Sequence, residues 1–105
     1  MTTFDKREQG FEAKFVHDEE LRFKAMARCN KMVGLWAAGL LGLSGDAANA
    51  YSNELVTAYL ESQAIESTLR KVTTDLAPKG ISEQQIVKKI DELLLVAMQQ
   101  VDAGN

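Results

Sequence analysis

His17 and Cys29 are the chain's one imidazole and one thiol, the side chains that nucleophilic catalysis or a soft-metal site would pair. Their spacing defeats both uses. On one continuous helix they would stand about 18 Å apart at 1.5 Å of rise per residue, too far to share a proton or a metal. His17 lies beside Asp18, Glu19 and Glu20 and reads as an exposed residue at a junction. The sharper reading makes it pH-sensitive, because its charge changes near neutrality among carboxylates. The glycine string GLLGLSG, with Gly39, Gly42 and Gly45, lacks the Lys-Ser/Thr ending and the preceding strand of a phosphate loop. Helix termination and close packing explain it better. Asp91 and Glu92 are neighbours and on a helix point to different sides, so they make a poor acid–base pair. No catalytic residue, metal-ligand set or cofactor is assigned, and the chain reads as a non-enzyme. Weak adenine-nucleotide binding stays open, with no residue to specify it.

Recognition chemistry is better represented. Phe11 and Phe15 are four apart and would stack on one helical face, with Phe4 two turns earlier on roughly the same side. Asp5, Lys6, Arg7, Glu8, Glu12 and Lys14 surround them, so the apolar stripe is narrow. A helix this short is marginal alone in water, and Gly10 in its middle costs about 1 kcal/mol more. Such a segment needs another surface before it orders. Residues 1–17 therefore read as a mobile, partly disordered arm, and an arm implies a partner.

The elements behind the arm are helical. From about 18 to 42 the charges pair at helical spacing: Lys14 with Asp18, Asp18 with Arg22, Glu20 with Lys24. Ala25, Cys29, Met32, Trp36 and Leu40 recur at three and four and predict a core-facing seam. Gly42 and Gly45 end this helix, and Ser44 or Asp46 can cap the next. A second helix over about 46–62 would bury Ala48, Tyr51, Leu55 and Ala58 or Tyr59. A third, about 64–77, shows Ile65, Leu69, Val72 and Leu76, and stops at the turn Ala77-Pro78-Lys79-Gly80. The fourth, about 82–102, opens on a Ser82/Gln85 capping-box pattern, with Ile86, Ile90, Leu93, Leu94, Ala97 and Val101 as its stripe. The expected fold is all-α: an antiparallel four-helix bundle over 18–105 behind the arm.

Composition bounds the partners. One core's worth of chain, 105 residues at 46% hydrophobic and 26% charged, is ordinary for a soluble domain. The net charge of −3 argues against nucleic acid. Arg22, Lys24, Arg28 and Lys31 form no stripe for it either, since Asp18, Glu19 and Glu20 interrupt their field. Met32 to Gly45 is the longest uncharged run, 14 residues with four glycines, short of the roughly 20 that a membrane span needs. Acidic residues near the start leave no pattern of a secretion leader. A cytoplasmic chain with a free cysteine, monomeric when unbound and with no direct membrane insertion, is expected.

The opening resembles a family in detail. The features are the MTTFD start, the pair Arg7-Glu8, E-A-K-F-x-H-D from Glu12 to Asp18, F-K-A-x-A-R-x-N from Phe23 to Asn30, and G-L-W-A-A from Gly34 to Ala38. They are similar to the bacterial family long filed as a domain of unknown function that includes the zeta subunits, natural inhibitors of the alphaproteobacterial F-type ATP synthase. The similarity is dense over about the first 45 residues and thin afterwards. It implies a four-helix bundle whose N-terminal region enters a catalytic α/β interface of the synthase head and becomes helical. There it wedges against the rotor and blocks rotation in the hydrolysis direction. The implied partner is the catalytic head, its α, β and rotor subunits, which would hold the protein at the inner membrane's periphery. By the same resemblance Phe4, Phe11 and Phe15 are apolar anchors, while Asp5, Arg7, Glu8 and Lys14 make polar contacts that set register. Met26 and Cys29 replace residues that are more often charged in the family. The segment AYLESQAIESTLRKV stands where the family carries an acidic loop, which leaves any role of that loop, and the break between the second and third helices, unassigned here. Two other readings stand beside this one: a small nucleotide- or metabolite-sensing bundle, and an adaptor or assembly factor that does not inhibit.

Overall fold

The computed structural model describes residues 19–102. Four α-helices and one 3-10 turn make up the described fold: α1 (Glu19–Leu40), α2 (Gly45–Ser62), α3 (Ile65–Leu76) and α4 (Glu83–Asp102), with the turn at Ala77–Lys79 between the last two. No strand occurs among the described residues, and the all-α expectation holds.

Each boundary has a local cause. α1 ends two residues earlier than its charge and apolar pattern suggests, because Gly42 takes φ 82°, a left-handed conformation that glycine adopts without steric cost. The Leu43 amide then returns to the Ala38 carbonyl at 2.9 Å, closing the helix as a C-terminal cap does. Ser44 is the N-cap of α2 by position, yet its side chain makes no capping bond. Between α2 and α3 the chain breaks at Gln63, a non-glycine residue with φ 58°. Ser62 steadies this break, its hydroxyl accepting from the Ala64 amide at 3.2 Å and from the Ser67 hydroxyl at 2.9 Å. At α4 the capping box forms in both directions: Ser82 N–H donates to Gln85 Oε1 at 2.8 Å, and Gln85 N–H donates to Ser82 Oγ at 3.2 Å.

The helices enclose one core, and α1 is its centre. Ala25, Cys29, Val33 and Ala37 form one fully buried row, and Met26, Asn30, Gly34 and Ala38 form the adjacent one. The first row meets α4 where the Cys29 thiol approaches the Ile90 carbonyl at 4.0 Å. The second meets α2 and α3 through Gly34 against Ser52 and Asn30 against Thr68. This corrects the predicted seam. Ala25 and Cys29 are buried, but Met32 and Trp36 are only partly buried at the core's edge and Leu40 is 39% exposed. A helix packed on three neighbours buries a face wider than a single three–four stripe. Tyr51, Leu55 and Tyr59 of α2 and Ile65, Leu69, Val72 and Leu76 of α3 lie in the core, with Ile86, Ile90, Leu94, Ala97 and Val101 of α4. Ala48 and Leu93 pack on its margin.

Candidate functional site

Phe4, Asp5, Arg7, Glu8, Phe11, Lys14, Phe15 and His17 lie outside the described residues, and α1 follows them in the chain. α1 opens with Glu19 and Glu20, acidic groups that suit the positive end of a helix dipole. Glu20 pairs with Lys24 at 3.2 Å, one turn along as the spacing predicts. Phe23 follows, 46% exposed, an aromatic ring turned to solvent.

The reactive candidates fall away on geometry. Cys29 is fully buried, and burial, aided by the nearby Asp91 carboxylate, pushes its thiol from 9.0 up to about 12. A thiol held neutral in an apolar interior is a poor nucleophile. Asp91 is buried against the core while Glu92 is exposed, so the adjacent carboxylates do face different ways. No group of three metal-ligating side chains occurs among the described residues. Gly39, Gly42 and Gly45 have open space where a side chain would begin, as fits turn-forming and surface glycines. The basic residues of α1 do not form one field. Arg28 donates to the Gln100 side chain at 3.2 Å, while Lys24 is held by Glu20.

Three polar arrangements escaped sequence reading. Ser52 donates to the Lys31 carbonyl at 2.9 Å beside Gly34, where a Cβ would stand 2.6 Å from the Ser52 Cα. Here two small residues let α1 and α2 touch backbone to backbone. Asn30, fully buried, donates to the Met26 carbonyl at 2.8 Å and accepts from the Thr68 hydroxyl, which ties α3 to the central helix. The third is a cluster between α2 and α3. Tyr51 donates to Asp75 at 2.7 Å, Lys71 reaches Asp75 at 3.2 Å and Glu54 at 3.5 Å, and its ammonium lies 5.1 Å from the Tyr51 ring centre. Burial and the Asp75 carboxylate raise the Tyr51 phenol above its ordinary range. The available signal was Lys71 four residues before Asp75 on one helix, which fixes that pair but not its partners on α2. A shallow cavity of about 370 Å³ lies between α3 and the start of α4, lined by Glu66, Arg70, Thr73, Thr74 and Glu83 around Leu69. Its mixed charge specifies no ligand.

The geometry defines a small all-α protein arranged on a central helix, with its polar groups spent on pinning neighbours and its outer chemistry that of side-chain contact. The chain belongs to the ATPase inhibitor subunit zeta family, whose model matches residues 1–100. That span takes in residues 1–17 as well as all four helices as far as Gln100. The family is one of regulatory subunits, and by its name what it regulates is an ATPase. No curated protein matches the chain.

Proposed function

We propose that this protein is an inhibitory subunit of the F-type ATP synthase and acts through residues 1–17. The observation that carries the reading is the family match, which includes those residues. They also hold the only phenylalanines besides Phe23. In this reading the arm inserts at a catalytic α/β interface of the head, folds as a helix with Phe4, Phe11 and Phe15 inward, and obstructs the rotor in the hydrolysis direction. Each ring, fully buried, contributes roughly 1.5–3 kcal/mol, enough together to offset the cost of ordering a short segment. Asp5, Arg7, Glu8 and Lys14 fix the register, and the helical core stays outside as the holder of the arm. No described helix is long and apolar enough to cross a membrane, and membrane association would come through the synthase.

The test is ATP hydrolysis by the purified synthase head, titrated with full-length protein, with a variant lacking residues 1–17, and with Phe11→Ala/Phe15→Ala. The full chain should inhibit, and the truncated one should be folded and inactive. The double variant should inhibit more weakly at an almost unchanged melting temperature. Inhibition retained by the truncated protein would remove the arm from the mechanism. No inhibition by the full chain on an active head, free of its own inhibitor, would remove the function.

A further inference from the structure

The chain has four phenylalanines, Phe4, Phe11, Phe15 and Phe23, at intervals of seven, four and eight residues. Each interval returns to one side of an α-helix. At about 100° per residue the four would fall within an arc of about 120°, little wider than an ordinary apolar stripe. Phe23 is the one that lies among the described residues, on α1, and it is 46% exposed. Its neighbours show which way the helix turns it. Leu21, two residues earlier and about 200° round the helix, packs on the core's edge. Ala25 and Met26, just after it, are buried. α1 thus directs Phe23 away from its own core, on a turn spanned by the Glu20–Lys24 ion pair at 3.2 Å.

A single exposed apolar ring is unremarkable on a protein surface; the position of this one in the chain supplies its occupant. Phe23 follows Phe15 by eight residues, a span of about 12 Å in a helix and at most about 29 Å fully extended. A partner that buries Phe15 therefore has its own surface within reach of Phe23. Buried aromatic rings dominate the energetics of such contacts, and they do so where they fill a pocket that excludes water.

We propose that Phe23 is a fourth aromatic anchor of the inhibitory contact, and that it enters an apolar pocket on the catalytic head at the edge of the cleft that takes the arm. The inference rests on the inhibitory reading above and extends its contact from residues 1–17 onto the folded core. A ring carried by α1 is positioned before the encounter, so burying it costs less ordering than burying the three in the arm. It also fixes the angle at which core and arm meet the head.

The experiment uses the full-length chain with Phe23→Ala, and separately Phe23→Leu, in binding and hydrolysis assays on the purified head. The ring is exposed, so melting temperatures should stay near wild type. A second readout is the fluorine resonance of 4-fluorophenylalanine placed at position 23 alone, which serves if a variant folds poorly. With roughly half of the ring left to bury, Phe23→Ala should lose about fivefold in affinity. Phe23→Leu should lose less, and the fluorine resonance should shift when the head is added. Phe23→Ala that binds as wild type, or a resonance unmoved in the bound complex, would overturn the anchor and leave the inhibitory function standing. A full chain that fails to bind an active head, free of its own inhibitor, would end both readings. A resonance that changes in the free protein when residues 1–17 are removed would assign the ring to the arm. A dimer in the wild type that Phe23→Ala dissolves would assign it to a second copy. Either result overturns the proposal.

Discussion

Gly34 and Gly39 stand on the same helix, and they define its two sides. A Cβ at Gly34 would press on the Ser52 backbone at 2.6 Å, whereas one at Gly39 would meet nothing within 4 Å. Around Gly34 the helix carries Ala25, Ala37 and Ala38, small residues that draw its neighbours close. Toward solvent it carries Leu35, 39% exposed, while Phe23 and Leu40 are exposed near its two ends. Met26 and Val33 are buried beside the alanines, so the inner face mixes small residues with larger apolar ones. Gly34 permits the close approach of α2 at Ser52. Leu35, on the outer side, leaves apolar surface that the described core does not cover.

The largest expected effect tests the inner side. Gly34→Ala gains helix propensity but forces α2 away from α1, because the contact is with backbone rather than with the end of a flexible side chain. The net loss should be about 2 kcal/mol, a fall in melting temperature of roughly 8–16 °C for a domain of this size. Thermal unfolding followed by circular dichroism measures it. A variant as stable as wild type would show that α1 and α2 do not meet as described, and the contrast between the two sides would fail.

Next in size is the Asn30–Thr68 pair. Thr68→Val keeps the volume but leaves the buried Asn30 carbonyl oxygen without that donor, and should cost about 1–2 kcal/mol in chemical denaturation. Replacing both residues by apolar groups, Asn30→Leu with Thr68→Val, should recover much of the loss, since the penalty comes from the stranded polar atom rather than from the missing bond. A double variant weaker than the sum of its single changes would mean that this site is held by shape and not by polar satisfaction.

These two contacts also mark where sequence reading stops. α3 was legible because its buried residues Ile65, Leu69, Val72 and Leu76 follow one narrow stripe among polar neighbours, so periodicity and burial coincide. The cap of α4 was legible because Ser82 and Gln85 act within one turn. α1 was misread by a shift of face: Met32 and Trp36 look like core residues by type, while Gly34 and Asn30, which are the buried ones, look like surface. Nothing local distinguishes them, since Asn30 owes its burial to Thr68, distant in sequence, and Gly34 to Ser52. The approach of residues 28–36 to residues 89–100, marked by the Arg28–Gln100 hydrogen bond, has no local signal either.

The smallest effect has the opposite sign. Gly39→Ala adds a methyl group to solvent at a helical position with no positive φ, so it removes glycine's backbone-entropy penalty without meeting a neighbour. In a helix interior the gain approaches about 1 kcal/mol. At Gly39, one residue from the end of α1, roughly 0.5 kcal/mol is expected, read as a small rise in the urea midpoint at unchanged slope. The same chemical change at Gly34 and Gly39 should therefore move stability in opposite directions on one helix. Side-chain propensity cannot produce that divergence, because it favours alanine at both sites; only the packing of α2 against one face of α1 can. If both variants gain, the close crossing at Gly34 is absent; if both lose, Gly39 is covered by something in the free protein, and the outer side of α1 is not the open surface described.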